Sequence, residues 1–227
     1  MSKQDRPKRV RGLVQGVGIN DANYKVTIYE GSPPKIIWIC PYYKRWKSMI
    51  VRCYSLVYQR DYPTYKGCYV AEDWLTFSKF RAWMVEQEIL LGDLSKMHLD
   101  KDFLSSETGG RKVYSEDSCA FIHRKVNLFM GDYFKNVNML QGTHLKHETG
   151  KYVASCSNPF TPKSCTEHIG LYTTKEEAHM AWAKTKLAYA VRFIEEGYVK
   201  DYRIATALLS KYNELLLSAE NILKGDI

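Results

Sequence analysis

No stretch of the chain approaches the roughly 20 consecutive apolar residues that a membrane-spanning helix needs, so no membrane partner is expected. The start, MSKQDRPKRVRG, is basic but has no apolar core behind it, so it does not read as an export signal. Cys40, Cys53, Cys68, Cys119, Cys156 and Cys165 form no CxxC pair. Without an export signal they read as reduced, mostly buried thiols of a cytoplasmic protein. His144 and His147 could join Cys156 and Cys165 around zinc, but the spacing fits no zinc motif. GxGxxG is also missing: the glycines of GLVQGVGIND have other spacings and no βαβ pattern follows, which argues against a nucleotide loop.

What the chain has is positive charge and aromatic rings. The formal net charge is +8 and the pI near 9.0, which favours a polyanionic partner, nucleic acid first among them. A basic surface can also serve solubility or an acidic protein partner. Hydrophobic residues at 45% and charged residues at 26% describe a globular chain, and 227 residues suffice for one large or two small domains. Seventeen Tyr and five Trp point to an aromatic-rich core, with base stacking as the other use for such rings.

Along the chain, 1–23 read as a basic arm and a glycine-rich lead-in, and PKRVR reads as a phosphate-binding arm or a solvated tail ahead of a nuclear-import patch. Short strands are expected at 24–29 and 36–40, with GSPPK as the turn. Trp46, Met49, Ile50, Cys53, Tyr54 and Val57 recur at helical spacing, which predicts a helix over 43–58. Lys44, Arg45, Lys47 and Arg52 lie largely off that stripe, either on a solvated face or along a phosphate backbone. A strand at 68–70 and a core helix at 71–90 follow, closed by Gly92. The polar connection 132–138 marks a domain boundary. Beyond it come strands at 142–147, 151–157 and 168–172. A helix capped by Thr174 and Glu177 runs to about 196, with Ala178, Ala181, Trp182, Thr185, Ala188 and Tyr189 buried, and a last helix spans 201–223.

The stretch HLDKDFLSSETGGRKVYSEDSCAFIHRKVN, residues 98–127, has the outline of a ββα-metal nuclease centre, in which a His activates water and oxygen ligands hold a divalent ion. With WKSMIVRCYS and PTYKGCYVAEDWLTFSKFRAW before it, the chain over 43–130 resembles the HNH-type proteins of bacteriophages, relatives of phage homing endonucleases. GTHLKHETGKYVASCS and HIGLYTTKEEAHMAWAKTKLAYA, over 142–195, are similar to the APETALA/ethylene-response-factor-type DNA-binding domain. That resemblance implies three strands and a helix, with the sheet in the major groove. Gly142, Gly150, Tyr152, Gly170, Thr174, Ala178 and Ala181 stand where its pattern has turn, core and cap residues.

The HNH resemblance implies His98 as the base, Asn127 as the closing asparagine and Asp100 and Asp102 as candidate magnesium ligands. It also shows a loss. Met97 stands where the pattern has its metal-binding Asp, and Ser118-Cys119 where it has Asn-Leu. A thioether is a poor ligand for magnesium. Asp117 or His123 are further candidates to fill the gap, and in a rival alignment LDKD is only a structural turn. Lys96, Lys101, Arg111, Lys112, Arg124 and Lys125 surround this stretch and could face phosphates. In the last domain Lys146, Lys151, Tyr152, Ser155, Ser157 and Lys163 are the candidates for groove contacts.

The expected architecture is α+β: a lead-in over 1–23, a degenerate HNH-like ββα module over 24–137, and a three-stranded sheet plus helix domain with a C-terminal helix over 138–227. The expected function is double-stranded DNA binding in a phage-related setting, in the cytoplasm of the infected bacterium, with catalysis weakened or lost. Two alternatives remain open: an active magnesium-dependent homing or nicking endonuclease, and an anti-defence protein that inhibits a host nuclease or immune complex by binding it.

Overall fold

The computed structural model describes residues 12–104, 113–131, 140–161 and 165–225. The chain is mixed helix and sheet, as the α+β reading expects. No helix among the described residues is long and apolar enough to cross a membrane. Two compact units emerge, one drawn from Met1–Leu94 and Leu99–Phe121, the other from Ser95–His98 and Ile122–Ile227. The PKRVR arm and the whole of the expected boundary segment, 132–138, lie outside the described residues.

In the first unit β1 (Thr27–Glu30) and β2 (Lys35–Ile39) form an antiparallel hairpin. α1 (Pro41–Tyr54) starts on a proline, whose missing N–H and fixed φ suit a first turn. It buries Tyr43, Trp46, Met49, Ile50 and Cys53. The single helix expected over 43–58 breaks at Ser55, whose extended backbone ends α1. The Ser55 hydroxyl accepts the Tyr58 N–H at 3.3 Å and so caps α2 (Leu56–Asp61). Val57 is therefore exposed rather than on the buried stripe.

Thr76, also extended, divides the helix expected over 71–90 into a 3-10 turn at Glu72–Leu75 and α3 (Phe77–Leu91). Trp46 joins the two parts by donating from its indole N–H to the Trp74 carbonyl at 2.8 Å, with Phe77 and Phe80 packed into the same aromatic core. The glycine-rich lead-in belongs to this unit, because Ile19 exchanges backbone bonds with Leu75 and Phe77 at 2.8 and 2.9 Å. β3 (Tyr69–Val70) pairs in parallel with β5 (Val113–Tyr114).

β4 (Met97–Asp100) pairs with β6 (Ala120–His123), and α4 (Arg124–Met130) follows without a loop. The division into compact units passes through these two strands. Phe129 packs against Phe193 and Tyr212 of the C-terminal helices and so ties α4 to the second unit.

The rest of the second unit is an antiparallel sheet in the order β7 (Thr143–Lys146), β8 (Lys151–Asn158), β9 (Cys165–Tyr172), covered by α5 (Lys175–Glu195), with α6 (Tyr202–Lys224) on α5. Thr174 and Glu177 form the expected capping box. The buried set on α5 is broader than the expected stripe: His179, Met180, Ala183, Ala190 and Phe193 are buried too, while Ala188 is exposed. A helix covered by a sheet on one side and a helix on another buries more than one stripe. Gly142 sits at φ +78°, and a Cβ there would come within 2.1 Å of the Trp182 ring, so only glycine fits.

Candidate nucleic-acid interface

Where β6 passes into α4, the His123 side chain caps the helix, its Nδ1 accepting the Lys125 N–H at 3.2 Å. The Arg124 N–H donates to the Lys96 carbonyl at 3.0 Å, which fixes the start of α4 beside the start of β4. That junction brings two of the expected residues together: Asn127 Nδ2 lies 3.3 Å from His98 Nδ1. With the amide nitrogen donating, the imidazole proton sits on Nε2. A general base at Nε2 needs the opposite arrangement, with Nδ1–H donated to the amide oxygen. Burial lowers the pKa of His123, and the neighbouring charges of Lys125, Lys96 and His98 lower it further. The junction is thus a cationic cluster. Lys125 is steadied over the Tyr198 ring at 5.3 Å, and Arg124 is exposed.

The expected carboxylates are engaged in local structure of the first unit. Asp100 closes the turn after β4 by accepting the N–H groups of Asp102 and Phe103, both at 2.9 Å. Asp102 is ion-paired with Lys101. Lys101, expected to face phosphate, is only 4% exposed and lies 5.8 and 5.7 Å from the Tyr65 and Tyr114 rings. Ser118, at the place of the missing asparagine, donates to the Val113 carbonyl at 2.6 Å and accepts the Ser115 N–H at 3.1 Å. Met97 is buried. Among the described residues no group of three or more His, Cys, Asp or Glu could hold a metal ion, zinc included. The donor set does not fit magnesium, which takes oxygen ligands in near-octahedral array. Burial pushes the Cys53 and Cys119 thiols up to about 12, as inert core thiols require.

On α1 the expected basic set splits. Lys44 and Lys47 are exposed. Arg45 instead donates to the Leu94 carbonyl and lies 5.2 Å from the Phe121 ring. Arg52 lies 5.6 Å from the Tyr65 ring. Arg111 and Lys112 lie outside the described residues.

The face of the three-stranded sheet turned away from α5 holds an open recess of about 350 Å³, lined by His144, Lys146, Val153, Ser155, Thr166, His168 and Leu171. Among the described residues no Asp or Glu lines it. Glu167, on the same strand, is turned to the other side, where it accepts from Tyr189 and Asn158. Of the expected groove-facing set, Lys146 and Ser155 line the recess, while Lys151 and Tyr152 do not. Side-chain alternation explains Tyr152, which adjoins the recess-lining Val153 and so points to the opposite face. Lys163 lies outside the described residues.

No family model, curated protein or solved structure matches the chain. Sequence reasoning missed His144, Thr166 and His168 as lining residues. The usable signal was alternation on β7: His144 stands two residues before Lys146, so a groove-facing Lys146 implies a groove-facing His144.

Proposed function

We propose that this protein binds double-stranded DNA, with the β7–β8–β9 sheet as the groove-entering surface and the Lys96–Lys125 cluster as a phosphate contact. In this reading β4, β6 and α4 are an HNH-like ββα scaffold whose metal chemistry is lost, and the second unit is an APETALA-type module. The observation that carries the reading is the open sheet face, where Lys146, His144, His168, Ser155 and Thr166 offer a cation and hydrogen-bonding groups with no carboxylate among the lining residues. A narrow antiparallel sheet fits the major groove, and such side chains can reach base edges and phosphates. The bacteriophage setting belongs to the same proposal through the resemblance.

One observation favours a second reading, a metal-dependent nuclease: the meeting of His98 and Asn127 at 3.3 Å. A gel series on supercoiled plasmid and short duplexes separates the two, run with magnesium, manganese or EDTA for wild type and His98→Ala. The expected result is a salt-sensitive mobility shift without nicking, the same in all three conditions and in the variant. Metal-dependent nicking that disappears in His98→Ala overturns the loss of catalysis, and absence of any shift at low salt overturns DNA binding.

A further inference from the structure

The β1–β2 hairpin carries five large apolar side chains in solvent: Ile28, Tyr29, Ile36, Ile37 and Trp38. Tyr29, Ile36 and Ile37 are each more than half exposed, at 59%, 58% and 57%. Ile28 pairs with Trp38 and Tyr29 with Ile36, a shift of register that leaves Ile37 as the extra residue on β2. Because neighbours on β1 point to opposite faces, apolar pairs occupy both faces of the hairpin. β2, with the sequence KIIWI, has the near-continuous apolar run of a strand covered on both sides. Yet the sheet has two strands only, and β2 makes no backbone hydrogen bond to a third segment among the described residues. A lone two-stranded hairpin is marginal in water, and an exposed apolar edge is a template for another strand.

We propose that β2 pairs antiparallel with β2 of a second copy of this chain, about a two-fold axis at Ile37, to give a four-stranded sheet. The strand is complementary to itself in that register. Ile36 of each copy meets Trp38 of the other, and Lys35 meets Ile39, so the two lysines stand at opposite ends of the pair. Parallel in-register pairing would set Lys35 against Lys35, which is unfavourable. The area is of the right order. Side chains of this size, about half exposed, leave roughly 500 Å² of apolar surface summed over the two faces of the hairpin. A standard interface takes about 800 Å² from each partner, and the strand backbones and flanks supply the remainder. An isologous dimer of this kind is the commonest closed assembly. The proposal is independent of the DNA-binding reading.

The test is sedimentation velocity of the full chain after nuclease treatment, from about 1 to 100 µM, a range that reports a micromolar dimer. The expected species is a dimer that persists or tightens as salt rises, since two copies of formal charge +8 repel each other. Copies bridged by residual nucleic acid would come apart under the same change. Ile37→Lys and Trp38→Lys should each weaken the dimer more than about tenfold with an unchanged far-UV spectrum, and Leu56→Lys, at another exposed site, should not. Ile37→Cys, with the exposed Cys165 changed to serine, should form a covalent dimer under oxidised glutathione, whereas Leu56→Cys should not. A wild-type chain that stays monomeric throughout overturns the proposal, and so does a dimer insensitive to both lysine variants or no excess of cross-link at Ile37→Cys. The monomer outcome would leave a different protein as the hairpin's occupant.

Discussion

In the first unit Arg45, Arg52 and Lys101 are folded onto rings, carbonyls and a carboxylate, whereas in the second His144, Lys146 and His168 stand on an open sheet face. The contrast shows that a basic residue in the sequence is not yet a basic surface. A buried cation loses its hydration and stays charged only where other groups replace it. Lys101 has two tyrosine rings and Asp102 for this. The long aliphatic stems of such residues also fill space among the aromatics, so they act as core components with a charged tip. On the sheet face Lys146 is ion-paired with Glu148 of the adjoining turn at 3.8 Å, but both side chains are exposed and such a surface pair contributes little. That cation remains available to an external anion.

Substitutions can break this comparison, and the largest effect is expected at Lys101. Lys101→Glu places a carboxylate between Tyr65 and Tyr114 and beside Asp102, and urea unfolding should show a loss of at least about 3 kcal/mol. If stability hardly changes, the lysine is not the packed core group described. Arg52→Ala removes a guanidinium from the Tyr65 ring and opens space beside it, which should cost about 1–2 kcal/mol in the same assay, with the DNA affinity of the folded protein unaltered.

Lys146→Ala should do the reverse. Duplex affinity falls about 3- to 10-fold and the salt slope drops by about one, while stability stays within about 0.5 kcal/mol. An unaltered affinity would remove Lys146 from the interface.

The smallest effect is a pH dependence at His123. Its pKa in the folded protein lies below the ordinary imidazole value, chiefly through burial and then through Lys125, Lys96 and His98. Between the folded value and about 6.5 the unfolded chain binds more protons, so stability falls as the pH drops through that window. His123→Asn keeps a capping side chain and should flatten the acid-side fall in Tm. A profile as steep as that of wild type would assign the fall to other groups.

Local signals were legible in the sequence. Thr174 and Glu177 announce their capping box and Gly92 its helix end, because neighbouring residues decide both, whereas the demand for glycine at 142 comes from the Trp182 ring, distant in sequence. The break at Ser55 was legible in principle, since serine is a strong N-cap, but an apolar spacing that continued to Val57 hid it. The fate of Lys101 and Arg52 was not legible. Tyr65 and Tyr114, which receive them, come from distant segments, and nothing local distinguishes these cations from the exposed Lys44 and Lys47. KIIWI misleads in the opposite sense: it reads as a core strand and stands in solvent, because exposure depends on what lies beside the strand. At the candidate site His98 and Asn127 were named only through the HNH resemblance, and their approach to 3.3 Å is a finding of the structure. The turn closed by Asp100 is the outcome that the rival alignment of LDKD expected, and Asp102 pairs with its sequence neighbour Lys101.

The most direct test of the central claim is fluorescence anisotropy of a labelled duplex titrated with the protein in EDTA, at salt concentrations from about 50 to 200 mM, where phosphate contacts are strongly screened. DNA binding through the cations of the second unit predicts saturable association at the low end and a linear fall of log affinity with log salt. No association at low salt, or an affinity that ignores salt, would contradict it.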